Sequence, residues 1–575
     1  MRTAASRGQS SPTRALRLRR AAWPIFATAF IGHVVCGPAA DDAKPKLIVL
    51  IGIDQFRADY LEEYDEAFSG GFRRMVERGR WYPRAVVDHA PTLSYPGHTT
   101  LATGAHPRTH GVTSNAWVES SPDGVKRRVF VMRDETAQIL GDPDATGVSP
   151  RNLLVTGLAD WVRAADPEAR AVALSTGPAL AMVYGGRALA DQARNHAYWL
   201  SATQGRFVTS SYFRSAYPDW LQEFNDRRMP QFRANRVWES SVPEIHRRLA
   251  RADAADYEGD GVHTTFPHAF TDVIEREEGS TGGYDPEEAH GELLNRWFFD
   301  SPFADEALFA LTRTTVESLQ LGQRGATDFL AIAIKSVDRI GHDYGPRSQE
   351  QLDVLVRLDR LLGDFLEFLD DRVGEGKYVI ALSADHGAPN VVEYELEQGR
   401  PARRVSEEDI QNLLDRVERL VRSYEGPAAA LPDQIAAELE RADFVARAMT
   451  PAELGGAGPA DEVLRIHRNS HVPGRSTPFP LWTRGVLAGS VGDAHPANWG
   501  IVVEFTENAQ LWTAPSTHMS VQLWDREVPV IFMGPGVRPG VSDDPARTVD
   551  VAPSLAALAG LAYPASVDGK DLQVR

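Results

Sequence analysis

Apolar residues fall along the chain in short unbroken runs separated by amphipathic stretches. Leu47 to Ile53 is one such run, rich in β-branched side chains and ending at Asp54. A run without polar alternation marks a strand buried on both faces of a sheet. Ala169–Leu174, Phe329–Ile334, Tyr378–Ser383 and Val528–Met533 read the same way; the second of these leads to Asp338 and the third to Asp385-His386. Helical periodicities lie between them, from Phe72 to a stop at Gly79 and from Leu352 to Leu369. Strands alternating with helices predict an α/β fold, a large mostly parallel mixed sheet flanked by helices. Open sheets of this kind carry their sites at the C-terminal ends of strands. Asp54, Asp338 and Asp385 are therefore expected at one edge.

Two regions break the alternation, at about 205–300 and about 395–500, and both read as insertions that build a cap over the site. The second opens on Ser406-x-x-Asp409, a capping box, followed by one apolar face of Ile410, Leu413, Leu414, Val417, Leu420 and Val421. At the other end, residues 1–40 carry a basic stretch closing on Arg19-Arg20, an apolar run from Ala21 to Cys36 and small residues up to Ala40. That is the pattern of a signal peptide, which predicts export to the periplasm or beyond. The apolar run is short for a membrane span, so none is expected in the mature chain.

Cys36 is the one cysteine, and Val34-Val35 before it fits lipidation poorly. Any metal must therefore be held by His and carboxylates. The 575 residues carry a formal charge of −18, and residues 1–40 hold six arginines and no acid, which leaves −24 for the remainder. A body this acidic is unsuited to sequence-independent nucleic-acid binding, which needs basic surface. A small anionic substrate at a metal site is compatible with it.

The candidate chemistry sits where the strands end. Asp338 and His342 are four residues apart, so both can turn onto one ion; Asp385 and His386 are adjacent, and share an ion only if the strand has ended before them. Asp54 and His518 complete three Asp and three His from four segments. This set suits two divalent ions, zinc first and other divalent metals after it. One site would use Asp338, His342 and His518; the other Asp54, Asp385, His386 and the Ser94 oxygen. Ser94 stands in Thr92-Leu93-Ser94-Tyr95-Pro96-Gly97-His98, where it alone reads as a helix cap with Pro96 in the first turn. His98 and His110 read as loop-orienting rather than metal-binding residues.

Asp54 after the first strand, Pro91-Thr92-Leu93-Ser94-Tyr95-Pro96-Gly97-His98-Thr99, Asp338-x-x-x-His342, Ala384-Asp385-His386-Gly387 and Thr517-His518 together resemble the alkaline phosphatase superfamily. The likeness is to bacterial periplasmic alkaline phosphatases related to type I nucleotide pyrophosphatase/phosphodiesterases, and it spans about Lys46 to Leu558. Tyr198-Trp199 and the Gly205–Ser210 segment resemble the phosphatase branch. The resemblance implies one catalytic domain over 41–575, Ser94 as nucleophile through a covalent phosphoserine, and Asn115 as donor to a phosphoryl oxygen. The substrate it implies is a small phosphate ester.

Two departures from the family pattern bear on function. Many members use Thr where Ser94 stands, and either supplies an alkoxide. Monoesterase members carry Lys-x-Arg where this chain has Ser175 and Gly177. Without those cations the expectation leans toward phosphodiesters, with an alkaline phosphomonoesterase as the alternative and Arg187, Arg194 or Lys335 as replacement charges. A sulfatase fits less well, because Ser94-x-Pro96-x-His98 has His where that motif needs Arg. A non-catalytic metal-binding protein is the remaining alternative.

Overall fold

The computed structural model describes residues 44–575 apart from 121–125, 178–179, 188–193, 281–285, 478–479 and 481–494, with side chains of 277–290 also left out. The expected signal peptide lies outside the described residues. Eleven strands form one sheet: β1 (Leu47–Ile53), β2 (Arg80–Val86), β3 (Arg133–Leu140), β4 (Asp142–Val148), β5 (Ala171–Ser175), β6 (Asn195–Ser201), β7 (Arg206–Ser210), β8 (Asp328–Ile334), β9 (Tyr378–Ser383), β10 (Glu527–Met533) and β11 (Gly540–Val541). Their spatial order is β11-β2-β10-β9-β1-β8-β5-β6-β7-β3-β4.

The centre of the sheet is parallel. β1 pairs with β8 and β9, β8 with β5, and β5 with β6, all in the same direction. β10, expected as one more member of the parallel set, runs antiparallel to both β9 and β2. Its apolar run reports burial, and burial carries no information about direction. β7, β3 and β4 also add on antiparallel, so the fold is a mixed sheet around a parallel core.

Alternate residues of each central strand enter opposite layers, as the two-residue period of a strand requires. Leu47, Val49, Ile51 and Ile53 join one core with Leu330, Ile332, Ile380 and Leu382, while Ile48 and Leu50 join another with Phe329, Ala331, Val379 and Ala381. This double burial is why the runs are continuous, and each large side chain contributes about 1.5–3 kcal/mol. The helix α1 (Gly71–Arg78) leads into β2 and α2 (Ser94–Thr103) comes after it, while α3 (Ser336–Tyr344) and α4 (Gln349–Leu369) follow β8. Ser348 caps α4, its hydroxyl accepting from the Gln351 N–H at 3.0 Å.

The two irregular regions behave differently. Phe207, Leu221, Phe224, Trp238, Phe270 and Phe298 from the first are part of the main core. The second builds a core of its own around α5 (Glu407–Ser423), with Ile410, Leu413 and Val417 packed on Ile435, Leu439 and Phe505. Its capping box is formed: the Ser406 hydroxyl accepts from Asp409 N–H at 3.1 Å and the Asp409 carboxylate accepts from Ser406 N–H at 2.9 Å.

A buried ion pair ties the C-terminal tail to the loop behind α2. His106 Nε2 lies 3.0 Å from Asp88 and Nδ1 lies 3.5 Å from Asp568. Burial works against its charge, but hydrogen bonds to Asp568 and Asp88 outweigh it and raise the imidazole to about 9. A raised histidine contributes stability that is complete below its unfolded value of about 6.5 and is lost as pH climbs through 9. His106→Gln should thus lower the melting temperature most at pH 6, by the equivalent of up to about 3 kcal/mol, and have no ion-pair cost above pH ~10. Melting curves of both proteins across that range test it; a pH-independent difference would show that the pair is not charged.

Candidate active site

Asp54, Asp338 and Asp385 follow β1, β8 and β9, three adjacent parallel strands, so all three stand at one C-terminal edge. Their exposures are 0, 2 and 0 %. β9 ends at Ser383, which frees Asp385 and His386 from strand alternation and lets both turn the same way. Gly387 after them takes no left-handed conformation; what requires a glycine there is space, since a Cβ would lie 2.1 Å from the Trp524 carbonyl oxygen. Asp338 and His342 lie one turn apart on α3, on one face of the helix.

Two groups of side chains close on common points, Asp338 with His342 and His518, and Asp54 with Asp385 and His386, each offering ligand atoms within 4.8 Å of one another. Backbone carbonyls fix all three imidazoles. His342 Nδ1 donates to Ser516 at 2.7 Å, His386 Nδ1 donates to Gly387 at 2.9 Å, and His518 Nδ1 donates to Thr92. That leaves each Nε2 facing carboxylate oxygen: His386 at 3.2 Å from Asp385, His342 at 3.3 Å and His518 at 3.6 Å from Asp338. Burial pushes His386 down to about 3 and His518 well below the ordinary range. At these two, a neutral nitrogen lone pair set against a carboxylate is repulsive unless a cation lies between them, whereas against the effect of burial the Asp338 carboxylate holds His342 up at about 9. His386 Nε2 and Asp385 Oδ2 are buried without a hydrogen-bond partner. The donor set therefore fits divalent cations, with each imidazole oriented by its other nitrogen as ligating histidines are.

The carboxylates divide the charge unequally. Burial and the neighbouring Asp54 push Asp385 well up, whereas at Asp338 the effect of burial is overcome by Lys335 and His342, which hold it well below the usual carboxylate range. Gln55, at φ 62°, bridges the two groups: its N–H donates to Asp385 and its side-chain amide to Asp338, both at 3.1 Å. His98 Nε2 stands 3.4 Å from Asp54 and 3.5 Å from Asp385, and its Nδ1 meets the Tyr184 hydroxyl at 2.8 Å. Gln55 and Tyr184 carry no motif that would single them out in the sequence.

Ser94 is the first residue of α2, and Leu93 holds the cap position, so the hydroxyl does not cap the helix. Its Oγ lies 3.4 Å from Asp54 and accepts from the Lys335 ammonium at 2.9 Å. Lys335 also donates to Asp54 at 2.7 Å and pairs with Asp338 at 2.6 Å. The Asn115 side-chain oxygen accepts from Tyr95 N–H at 3.2 Å, which places its amide beside the start of α2. The other two cations named as replacement charges are engaged elsewhere: Arg194 with Glu168 at 2.8 Å, at the N-terminal end of β6, and Arg187 with the Leu154 carbonyl.

A family model described as type I phosphodiesterase / nucleotide pyrophosphatase matches residues 48–477. The chain belongs to that family. Its resemblance to the alkaline phosphatase superfamily rests on the whole domain as well as on motifs. It is 28 % identical to alkaline phosphatase PafA of Elizabethkingia meningoseptica, over 92 % of this chain and 94 % of that one. It is 27 % identical to alkaline phosphatase PhoV of Synechococcus elongatus, over 92 % of each. The crystal structure of wild-type PafA superimposes with a TM-score of 0.77 at 26 % identity, covering 92 % of this chain and 99 % of that one. The family and its fold make this chain a phosphoric ester hydrolase.

A third acidic and imidazole group, Asp260, His263 and His268, is of another kind. All four ring nitrogens are engaged: His263 with Asp260 at 2.9 Å and the Ala269 carbonyl at 3.1 Å, His268 with Glu350 at 3.0 Å and Tyr344 at 3.1 Å. The two rings stack at 4.9 Å, so their in-plane lone pairs do not converge. This group is a hydrogen-bonded knot.

α2 reaches the site only because position 97 lacks a side chain. A Cβ on Gly97 would lie 2.6 Å from both Cβ and the carbonyl oxygen of Asp385. Gly97→Ala must push α2, and Ser94 with it, away from Asp54. We expect a stability loss of about 1–3 kcal/mol and a fall in ester hydrolysis of about 10²-fold. Thermal melts and kcat/KM on an aryl phosphate check this, and a variant as active as its parent would show that the approach is not needed.

Proposed function

We propose that the chain hydrolyses phosphoric esters by two displacements through a covalent phosphoserine on Ser94. The observation that carries the reading is the pair of Asp/His groups flanking the Ser94 hydroxyl, with their imidazole Nε2 atoms turned inward. Asp338, His342 and His518 would hold one divalent cation; Asp54, Asp385, His386 and Ser94 Oγ would hold the second. Nitrogen and oxygen donors without sulfur suit zinc at both positions. Two such ions, when bound, lower the pKa of a hydroxyl and neutralise the charge of entering and leaving oxygens.

The chain's own groups supply the rest. Ser94 lies 6 % exposed at the positive end of α2, where an anionic phosphoryl group is favoured. Its oxygen attacks phosphorus, the alcohol leaves, and water then cleaves the phosphoserine, so configuration at phosphorus is retained over two steps. The Asn115 amide donates to a non-bridging oxygen, and Tyr95 N–H keeps it turned toward α2. PafA and PhoV carry the name alkaline phosphatase, which supports the same activity here. The substrate is a small phosphate ester, met after export to the periplasm or outside the cell.

Ser94→Ala should keep its metal and lose hydrolysis by ~10³-fold or more; metal analysis beside steady-state rates measures both. A variant with parental turnover would remove the covalent route. Chelation should abolish activity in the parent and zinc should restore it. Recovery with magnesium alone would replace zinc as the working ion.

A further inference from the structure

Lys335 is the residue whose presence in the site the metal groups do not explain. Its ammonium has three N–H donors, and these meet Asp54, Asp338 and Ser94 at 2.7, 2.6 and 2.9 Å. A cation touching the nucleophile's oxygen is also within reach of the oxygens on any phosphorus bonded to it.

The main chain places this lysine beside the segment that lacks charge. β8 and β5 are neighbouring parallel strands with Ala333 opposite Ser175. Thr176 N–H donates to the Ala333 carbonyl at 3.2 Å, and Lys335 N–H donates back to the Thr176 hydroxyl at 3.0 Å. The Arg339 guanidinium, 3.3 Å over the Phe299 ring, donates to the Thr176 carbonyl at 2.6 Å and closes the corner. Lys335 thus starts level with Thr176, one strand over. Its backbone is anchored on both sides, because the Ile334 carbonyl also accepts from Asp54 N–H at 2.9 Å. The stem is less confined: the side chain is 21 % exposed, whereas the Asp54 and Asp338 side chains are 0 and 3 % exposed. The head group can therefore turn from the carboxylates toward a ligand without any change of backbone.

We propose that Lys335 binds the third non-bridging oxygen of a phosphate monoester dianion, and so fixes monoesters as the substrate class. The assignment rests on the phosphoserine reading above and deepens it. It takes the alternative side of the sequence-based lean toward diesters, which followed from Ser175 and Gly177 alone. A diester has an organic substituent where the monoester has its charged third oxygen, so an ammonium there favours the monoester and offers the diester nothing. Fixed charges aimed at such oxygens rank among the largest contributions to phosphoryl transfer.

The test uses the zinc-loaded full chain, Lys335→Met and Lys335→Arg, an aryl phosphate monoester and its methyl diester. The parent should prefer the monoester. Lys335→Met should lose ~10²–10³-fold in kcat/KM on the monoester, at least ten times more than it loses on the diester, while Lys335→Arg keeps most of the preference. Inorganic phosphate, titrated calorimetrically, should bind Lys335→Met at least tenfold more weakly at unchanged metal content. Gly177→Arg added to Lys335→Met should recover part of the monoester rate, since a Cβ at 177 meets nothing nearer than a Leu180 methyl at 3.3 Å. Equal losses on the two esters, unchanged phosphate affinity, or a parent that prefers the diester would each overturn the assignment. A parent inactive on both esters would overturn the hydrolytic reading instead, and phosphate affinity would then still decide the role of Lys335.

Discussion

Three carboxylates buried side by side are the constraint around which this molecule is built. Neighbouring strands lie about 4.8 Å apart, so Asp54, Asp338 and Asp385 at the ends of β1, β8 and β9 are held close by the sheet itself. Burying a charge costs several kcal/mol unless it is paired, and like charges add to the cost. The surrounding groups answer that cost one by one. Gln55 donates to two of the three, His98 faces two, and Lys335 touches two. Asp385 still has an oxygen with no donor. Divalent cations at the two Asp/His groups, as proposed above, would complete the balance, and stability and chemistry would then draw on the same residues.

The imidazoles show how a site is set before any ion arrives. Each of His342, His386 and His518 spends its Nδ1 proton on a backbone carbonyl, from Ser516, Gly387 and Thr92. The tautomer is then decided by the chain fold rather than by the ligand. Tyr184 acts one layer further back: burial and the charges of Asp385 and Asp54 keep its hydroxyl protonated, and its hydrogen bond with His98 Nδ1 holds the His98 Nε2 toward the carboxylates. By contrast, every ring nitrogen of His263 and His268 already has a partner. Proximity of Asp and His thus separates into two kinds once the other nitrogen is followed.

Much of this was legible in the sequence because buried parallel strands leave a strong mark. β1, β5, β8, β9 and β10 are continuous apolar runs, since each feeds both layers of core. The residues after β1, β8 and β9 had to share an edge once the sheet was parallel, so position in the chain pointed to five of the candidate site residues, Asp54, Asp338, His342, Asp385 and His386. The remaining strands of the sheet left a weaker signal. β3 and β4 alternate or lie open to solvent, and β11 is two residues long. The direction of β10 was not encoded in its apolarity. Asn115 came from resemblance to a family segment, and Gln55 and Tyr184 act through a backbone angle and a layer contact that no spacing records.

Lys335 marks the boundary between those two cases. The sequence shows a lysine three residues before Asp338, but the meaning of that position depends on strand order. With β5 beside β8 and Ala333 level with Ser175, residues 175–177 and 335 border one corner of the site although 335 comes 158 positions after 177. A lysine stem of four methylenes spans roughly one strand spacing, so a charge at this corner can be supplied from either strand. What the chemistry constrains is the electrostatics of the sheet edge, and a motif is one way of meeting that constraint. A missing cation in a motif is therefore a statement about one strand, and its consequence follows only when the neighbouring strand has been read as well.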